Sequence, residues 1–432
     1  MSGIFGVASK TDCANDLFWG THYLQHRAQD FCGLALDQDM NLNTHHGLLK
    51  QQFSPERLSS MKGKKGIGFV SGVRQPISEL SRSGGMVLGY DGNIINYKEI
   101  KDRLLREGST FSGYASPEKV TDNVLISNII ARETSFQKGI EALVEQIKGD
   151  FAIISLTREG IYASRGWGRK PLILGKKNNS YAVASESNSF VNNGFAIVRD
   201  VKPGEIVFID DEGIHEVAKL DLQPVKYGTF EWIYTSHPAS TIDGRNVAEV
   251  RKNLGKLLAR RYPQDADVVS PVPNSGRWHA IGYAEEAGIP YAEIFIRYDY
   301  SDRSYTPGEQ EDRDKEAKTK LIPVEGLIRG KRIILVDDSI VRGTQTLNQV
   351  KRLREEFGVL EAHARIACPP LMSACTYGKT TKKDEDCIAR RMPVDEIQEK
   401  LSLNSLGYAT VEDLVSAIGY EEDKLCLDCW KI

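Results

Sequence analysis

The stretch that most restricts this chain is a twelve-residue run, Ile333-Ile334-Leu335-Val336-Asp337-Asp338-Ser339-Ile340-Val341-Arg342-Gly343-Thr344. Four apolar residues in succession predict a buried strand of the kind found in parallel sheets covered on both faces. The small and hydroxyl residues that follow predict a turn into a helix from about Gly343. Two adjacent carboxylates and a helix N-terminus thereby meet at one strand end, which is where open parallel sheets bind their ligands.

These residue types suit one chemistry. Unpaired amides at a helix N-terminus favour an anion, so that end, with Arg342 and Thr344 beside it, is a candidate 5′-phosphate site. Asp337 and Asp338 are candidates to accept from ribose hydroxyls and to support hydrated Mg²⁺, which takes few carboxylates and completes its shell with water and substrate oxygens. Breaking a bond from the anomeric carbon to pyrophosphate develops positive charge on the carbon and negative charge on the leaving group. Fixed carboxylates and Mg²⁺ oppose those charges. An isolated Asp-Asp pair ordinarily marks no more than an acidic strand end. The complete run is what predicts binding of phosphoribosyl pyrophosphate.

A chain of 432 residues is too long for one ordinary core and predicts two domains. Up to about residue 225, short strands (GIFGV near the start, 86–90, 151–156, 205–210) are separated by helical stretches (96–108, 121–133) with apolar residues at three- and four-residue spacing. That order predicts a layered α+β domain. From about 230 the rhythm becomes helix (246–261), apolar strand, helix, strand and helix, as in a parallel helix-covered sheet. The charged stretch 299–320 has neither period and reads as a loop, a candidate lid.

Composition narrows the partners. With 56 Lys+Arg against 59 Asp+Glu, the net charge of -3 offers no bulk attraction to nucleic acid or to an anionic membrane. The apolar runs are only a few residues long and MSGIFGVASK lacks the features of a secretory leader, so the expected location is cytoplasmic. Seven cysteines, an odd number, point to reduced thiols or metal ligands rather than a disulfide framework.

The run 333–344 resembles the signature of type I phosphoribosyltransferases, and ILVDDSIVRGT is close to the version in the amidophosphoribosyltransferase (glutamine phosphoribosylpyrophosphate amidotransferase) family. The resemblance covers nearly the whole chain. It implies an α+β N-terminal-nucleophile-hydrolase-like αββα sandwich, the glutaminase domain, over 1–228. An α/β type I phosphoribosyltransferase domain with a C-terminal extension follows over 229–432. Pro271-Val272-Pro273-Asn274-Ser275-Gly276-Arg277 is similar to the family's pyrophosphate loop, with Asn274 where Asp is usual. Asp302-Arg303-Ser304-Tyr305 through Gln310 and Arg313 is similar to the loop that closes over substrate. The implied substrate contacts are Ser275, Gly276, Arg277, Arg303 and Asp337 through Thr344, with Mg²⁺ at Ser275, Asp337 and Asp338. The implied reaction replaces pyrophosphate by ammonia drawn from glutamine, the first committed step of purine synthesis, in a homo-oligomer.

The glutaminase half departs from the family's pattern. That chemistry uses an N-terminal Cys with its own α-amine as base, and here the position is Ser2, a weaker nucleophile because hydroxyls are not ionised near neutrality. Leu24-Gln25-His26-Arg27-Ala28-Gln29-Asp30 keeps most of LQHRGQD, with Ala28 for Gly. Tyr90-Asp91-Gly92-Asn93 stands for His-Asn-Gly-Asn, so an acceptor replaces the oxyanion-donating Asn; losing one such donor costs about 10²–10³ in rate. Ile67-Gly68-Phe69-Val70-Ser71 puts Ser71 where an Arg would bind the glutamine carboxylate, a contact worth roughly 1.5–3 kcal/mol. Arg74 is a nearby alternative, and Asp122 matches the residue expected to hold the substrate's α-amine. The candidate catalytic set is therefore Ser2, Arg27, Asp91, Gly92 and Asp122. The expected function is phosphoribosyl transfer to ammonia or another nitrogen nucleophile without efficient glutamine hydrolysis. Two rivals stay open: an ordinary glutamine-dependent enzyme of purine synthesis using Ser2, and a noncatalytic phosphoribosyl pyrophosphate sensor or regulatory paralogue.

Cys375, Cys426 and Cys429 match three ligand positions of the family's iron–sulfur members, and Gly228 stands at about the fourth. An iron–sulfur cluster, a zinc ion and metal-free thiols are the alternatives.

Overall fold

In the computed structural model, which describes residues 1–38, 40, 43–75, 77–82, 84–111, 120–298, 321–378, 381 and 383–431, the chain divides into two units. The first comprises Met1–Gly228, Ala239–Gly244 and Thr376–Lys379; the second comprises Thr229–Pro238, Arg245–Cys375 and Thr380–Ile432. No helix among the described residues is long and apolar enough to cross a membrane. The candidate lid 299–320, with Arg303, Gln310 and Arg313, lies outside the described residues.

The strands of the first unit are β1 (Ser2–Ser9), β2 (Phe31–Leu36), β3 (Asn43–His46), β4 (Lys65–Ser71), β5 (Ile77–Ser81), β6 (Gly84–Ile94), β7 (Gly149–Leu156), β8 (Ile161–Arg165), β9 (Ile173–Lys177), β10 (Ser180–Ala184), β11 (Ala196–Asp200), β12 (Glu205–Ile209) and β13 (Ile214–Lys219). They pair antiparallel into two sheets, ordered β11-β9-β10-β1-β4-β2-β3 and β13-β12-β8-β7-β6-β5. Side chains alternate along each strand, and the alternation sorts them into layers. From β1, Ile4 and Ala8 join Ile67, Phe69, Val87, Ala152 and Ile154 in a core between the sheets. Phe5 and Val7 point the other way and pack on Leu17 and Phe18 of the helix Ala14–His22. On the second sheet, Leu88, Phe151 and Ile153 pack on Leu125, Ile129 and Leu143 of the helices Asp122–Ala131 and Phe136–Gln146. Helix, sheet, sheet, helix is the αββα sandwich that the resemblance implied.

In the second unit a parallel sheet runs in the order Val268–Pro271, Arg332–Asp337, Glu361–Ile366, Ser405–Tyr408. Its helices include Val247–Arg261, Arg277–Ala287 and Thr344–Glu355. Ile333 through Val336 are fully or almost fully buried, as a strand flanked on both edges and covered on both faces requires. This is the parallel, helix-covered sheet expected from the alternation of strand and helix, and the α/β domain that the resemblance implied.

Candidate active sites

The pleat of the first unit places three candidate residues together. Ser2, Asp91 and Ser71 each stand an even number of residues from an inter-sheet core member on the same strand (Ile4, Val87 and Phe69), so all three project between the sheets where the apolar core ends. Register completes the grouping, since Ser2 lies directly opposite Ser71 in the β1–β4 ladder. Their hydroxyl oxygens are 3.0 Å apart.

A buried charged network closes around Ser2. Its main-chain nitrogen donates to Oδ1 of Asp91 at 2.8 Å. Arg27 Nε donates to the Ser2 carbonyl at 2.7 Å, and its two terminal nitrogens reach Glu186 Oε1 at 2.6 Å and Asp91 Oδ2 at 3.0 Å. A side chain at Gly3 would press on Leu24 Cβ at 2.7 Å, so the short residue is what lets the Arg27 loop lie against β1. Burial opposes ionisation of Asp91, but Lys170, Arg27 and the chain-terminal ammonium outweigh it and hold the carboxyl below its usual range. Glu186, also accepting from Ser240 Oγ at 2.8 Å, is treated alike: burial pushes its carboxyl up, and His26 and Arg27 bring it far down.

The remaining expected residues are near but differently engaged. Asp122 accepts from the Tyr90 hydroxyl at 3.4 Å. Gly92 follows Asp91 on β6, where an added Cβ would meet Asp150 O at 2.2 Å, so no larger residue fits. Arg74 is exposed, and its carbonyl accepts from Asn123 Nδ2 at 3.0 Å; its buried neighbour Gln75 turns inward instead. Gln75, together with Glu186 and Lys170, belongs to this site and was missed by sequence reasoning. Nothing in the local pattern distinguishes these residues from ordinary loop and strand positions.

In the second unit, Asp337 ends the central strand and Asp338 follows it. The Asp338 amide donates to Asp337 Oδ1 at 2.9 Å, Ser339 Oγ donates to Asp338 Oδ2 at 2.7 Å, and Ser275 Oγ stands 3.5 Å from Asp337 Oδ1. Burial, reinforced by Asp338, pushes the Asp337 carboxyl well above its usual range. A cation beside the pair would reverse that preference, and two carboxylates with an adjacent hydroxyl suit Mg²⁺. The loop carrying Ser275 and Gly276 is held to the same strand end by the Val272 amide, which donates to Val336 O at 2.8 Å. A Cβ at Gly276 would lie 2.2 Å from that carbonyl. Gly343, at φ +77°, turns the chain through a left-handed conformation into the helix Thr344–Glu355. Ile340 is buried beneath the turn, Val341 is half-buried and Thr344 is exposed at the helix start. Arg342 and Arg277 are paired with carboxylates, Arg342 with Asp386 at 2.9 Å and Arg277 with Glu293 at 2.8 Å.

Of the three alternatives for Cys375, Cys426 and Cys429, a three-thiolate ligand set is not supported among the described residues. Cys429 faces Cys375, a contact that with burial pushes the Cys429 thiol far up. Cys426, which also acts on the Cys429 thiol, directs its sulfur at Asp428 Oδ2, 3.8 Å away. Among the described residues no three His, Cys, Asp or Glu side chains converge as a metal ion would need.

Comparison with known proteins agrees with this geometry. Residues 66–192 match the glutamine amidotransferase domain model. The amidophosphoribosyltransferase of Methanothermobacter thermautotrophicus is 36% identical over 443 aligned positions, covering 99% of this chain and 92% of the relative. That of Bacillus subtilis is 35% identical over 99% of this chain and 92% of the relative. The solved B. subtilis glutamine phosphoribosylpyrophosphate amidotransferase, complexed with ADP and GMP, superposes with a TM-score of 0.90 at 33% identity, covering 99% of this chain and 96% of that one. A structure described as the allosteric regulatory enzyme of purine biosynthesis superposes with a TM-score of 0.91 at 34% identity, covering 99% and 95%. The chain belongs to the amidophosphoribosyltransferase family, pentosyltransferases that carry a glutamine amidotransferase domain.

Proposed function

We propose that this protein displaces pyrophosphate from phosphoribosyl pyrophosphate with ammonia or another small nitrogen nucleophile, without efficient hydrolysis of glutamine. The transferase chemistry falls to residues 229–432, and residues 1–228 form an impaired glutaminase domain. In this reading Asp337 and Asp338 hold the ribose hydroxyls and, with Ser275, Mg²⁺. Gly276 and Arg277 take the pyrophosphate, and Ser339 through Thr344 take the 5′-phosphate on helix amides. When bound, Mg²⁺ neutralises charge developing on the leaving pyrophosphate. Asp337 and Asp338 oppose the positive charge at the anomeric carbon. Arg342 and Arg277 exchange Asp386 and Glu293 for substrate anions.

The observation that carries the reading is the contact of Asp91 with the Ser2 nitrogen, a peptide N–H while Met1 precedes it and the α-amine once Met1 is removed. A glutaminase of this kind needs a neutral amine as base and a donor for the oxyanion. Asp91 offers a carboxylate to both. Ser71, opposite Ser2, supplies no positive charge for a glutamine carboxylate.

The ordinary glutamine-dependent reading draws support from near-full-length identity with enzymes of that name and from the retained Arg27 and Asp122. One assay separates the two: pyrophosphate release by purified protein with phosphoribosyl pyrophosphate and Mg²⁺, given glutamine, ammonium or no amine. Release with ammonium and not with glutamine is the expected result, and equal rates would establish Ser2 as a working nucleophile. No release with any amine tried would favour a sensor.

A further inference from the structure

The Gln75 carboxamide is fully buried and makes four contacts. Its Oε1 accepts from the Tyr90 amide at 2.9 Å. Its Nε2 lies 2.9 Å from Tyr90 O, 3.0 Å from Ser2 Oγ and 2.8 Å from Ser71 Oγ. Oxygen and nitrogen of a side-chain amide are easily interchanged, but here the Tyr90 main chain settles them. A peptide N–H can only donate and a peptide C=O can only accept, so the oxygen must face the first and the nitrogen the second.

Why the side chain lies there follows from register. In the β5–β6 ladder Ile77 faces Leu88 and Ser78 faces Val87, so continuing the ladder backwards would set residue 75 opposite Tyr90. Strand β5 begins only at Ile77. The Gln75 side chain makes the two hydrogen bonds to Tyr90 that a neighbouring strand would otherwise make.

The consequence falls on Ser2. A nucleophilic hydroxyl needs an acceptor for its proton and an unoccupied lone pair. One Gln75 Nε2 hydrogen goes to Tyr90 O and the other is shared between Ser2 Oγ and Ser71 Oγ, which also accepts from the Val73 amide at 3.2 Å. Ser2 Oγ thus faces the Gln75 amide donor and shares a hydrogen bond with the Ser71 hydroxyl. The Gln75 nitrogen occupies a position 3.0 Å from Ser2 Oγ, the separation at which a carbonyl carbon about to be attacked would stand.

We infer that Gln75 is a specificity-determining residue whose carboxamide fills the place beside Ser2 that a glutamine side-chain amide would need, closing the glutaminase site from within. The inference deepens the reading of an impaired glutaminase half and rests on it.

The test reads access to position 2 and not hydrolysis, so either idea can fail without the other. Ser2→Cys places a thiol there, and the probe is iodoacetamide, a small carboxamide whose carbon the thiolate attacks with loss of iodide. Peptide mass spectrometry follows alkylation of the introduced thiol, with native Cys13 and Cys32 of the same unit, both buried with thiols pushed up, as internal controls. The introduced thiol is expected to react slowly in the single variant and faster by about tenfold or more in Ser2→Cys/Gln75→Gly, at unchanged control rates. Gln75→Ala takes the place of the glycine variant should that one not fold. Equal rates at position 2 with and without Gln75, or an acceleration that Cys13 and Cys32 share, would overturn the assignment.

Discussion

The main-chain nitrogen of Ser2 and Oδ1 of Asp91 lie 2.8 Å apart, joining the first strand of one sheet to the long strand of the other. Removal of Met1 would turn that peptide nitrogen into the α-amine, which must be neutral to serve as a base, and an ionised carboxylate at that distance would favour its charged form. Asp91 is held in the ionised form by Lys170, Arg27 and the terminal ammonium against the cost of burial. Replacing the family's Asn by Asp therefore acts twice in one direction. On the reading proposed above, the oxyanion would lose a donor and the nucleophile its base.

With Met1 removed, the α-amine of Ser2 should titrate above the ordinary terminal range of about 7.7–8.0, and Asp91→Asn should bring it down. Acylation of the terminus by a small anhydride, followed across pH by mass spectrometry, measures this directly. Identical profiles for the two proteins would show that Asp91 does not control the amine.

The parts of the sites that were legible in the sequence are those where one residue type has one use. The run through Asp337 and Asp338 needs a buried strand, two acids and a left-handed Gly343, and each requirement leaves its own mark on the sequence. Ser2, Ser71 and Asp91 were legible as departures from a pattern, though their meeting depends on β1–β4 register and on the pleat. Gln75 was not legible, because its role comes from where β5 begins. For Cys375, Cys426 and Cys429 the sequence left cluster, zinc and metal-free thiols open, since spacing along the chain does not say where each sulfur points, as Cys426 does toward Asp428.

Glu186 should make the first unit sensitive to acid. Its folded value lies below the unfolded one, held there by His26 and Arg27 against burial. The stabilisation is therefore complete above the unfolded glutamate value of about 4.3 and is lost as pH falls through the depressed folded value. Glu186→Gln, which strips a partner from buried Arg27, should cost roughly 3–5 kcal/mol near neutrality and progressively less in acid. Urea unfolding of both proteins at several pH values is the check. A difference that stays constant into acid would contradict this account.

Gly276→Ala should disable the transferase site. The new methyl would lie 2.2 Å from Val336 O and 2.8 Å from Val272 O, backbone atoms that cannot rotate away, so the loop bearing Ser275 must shift. Gly326→Ala is the matched control, with nothing within 4 Å of its added carbon. Loss of most ammonium-dependent pyrophosphate release in the first variant and little change in the second is expected. Full activity in Gly276→Ala would mean that the loop tolerates displacement.

Asp337 and Asp338 should show opposite effects on activity and on stability. Two neighbouring carboxyls on a buried strand end cost the free protein stability, visible in the upward push on Asp337 from burial and from Asp338. An Asn at either position keeps an oxygen to accept from the Asp338 amide or from Ser339 Oγ, and it removes one of the two adjacent carboxyls. Each Asp→Asn variant should therefore melt no lower than the parent, and somewhat higher at neutral pH, while ammonium-dependent pyrophosphate release falls by about 10²-fold or more. Thermal melts and the release assay on the same preparations decide the matter. A variant that loses activity and stability together would make the acids structural, whereas one that gains stability as it loses turnover identifies the pair as groups kept for substrate and metal at the expense of the fold.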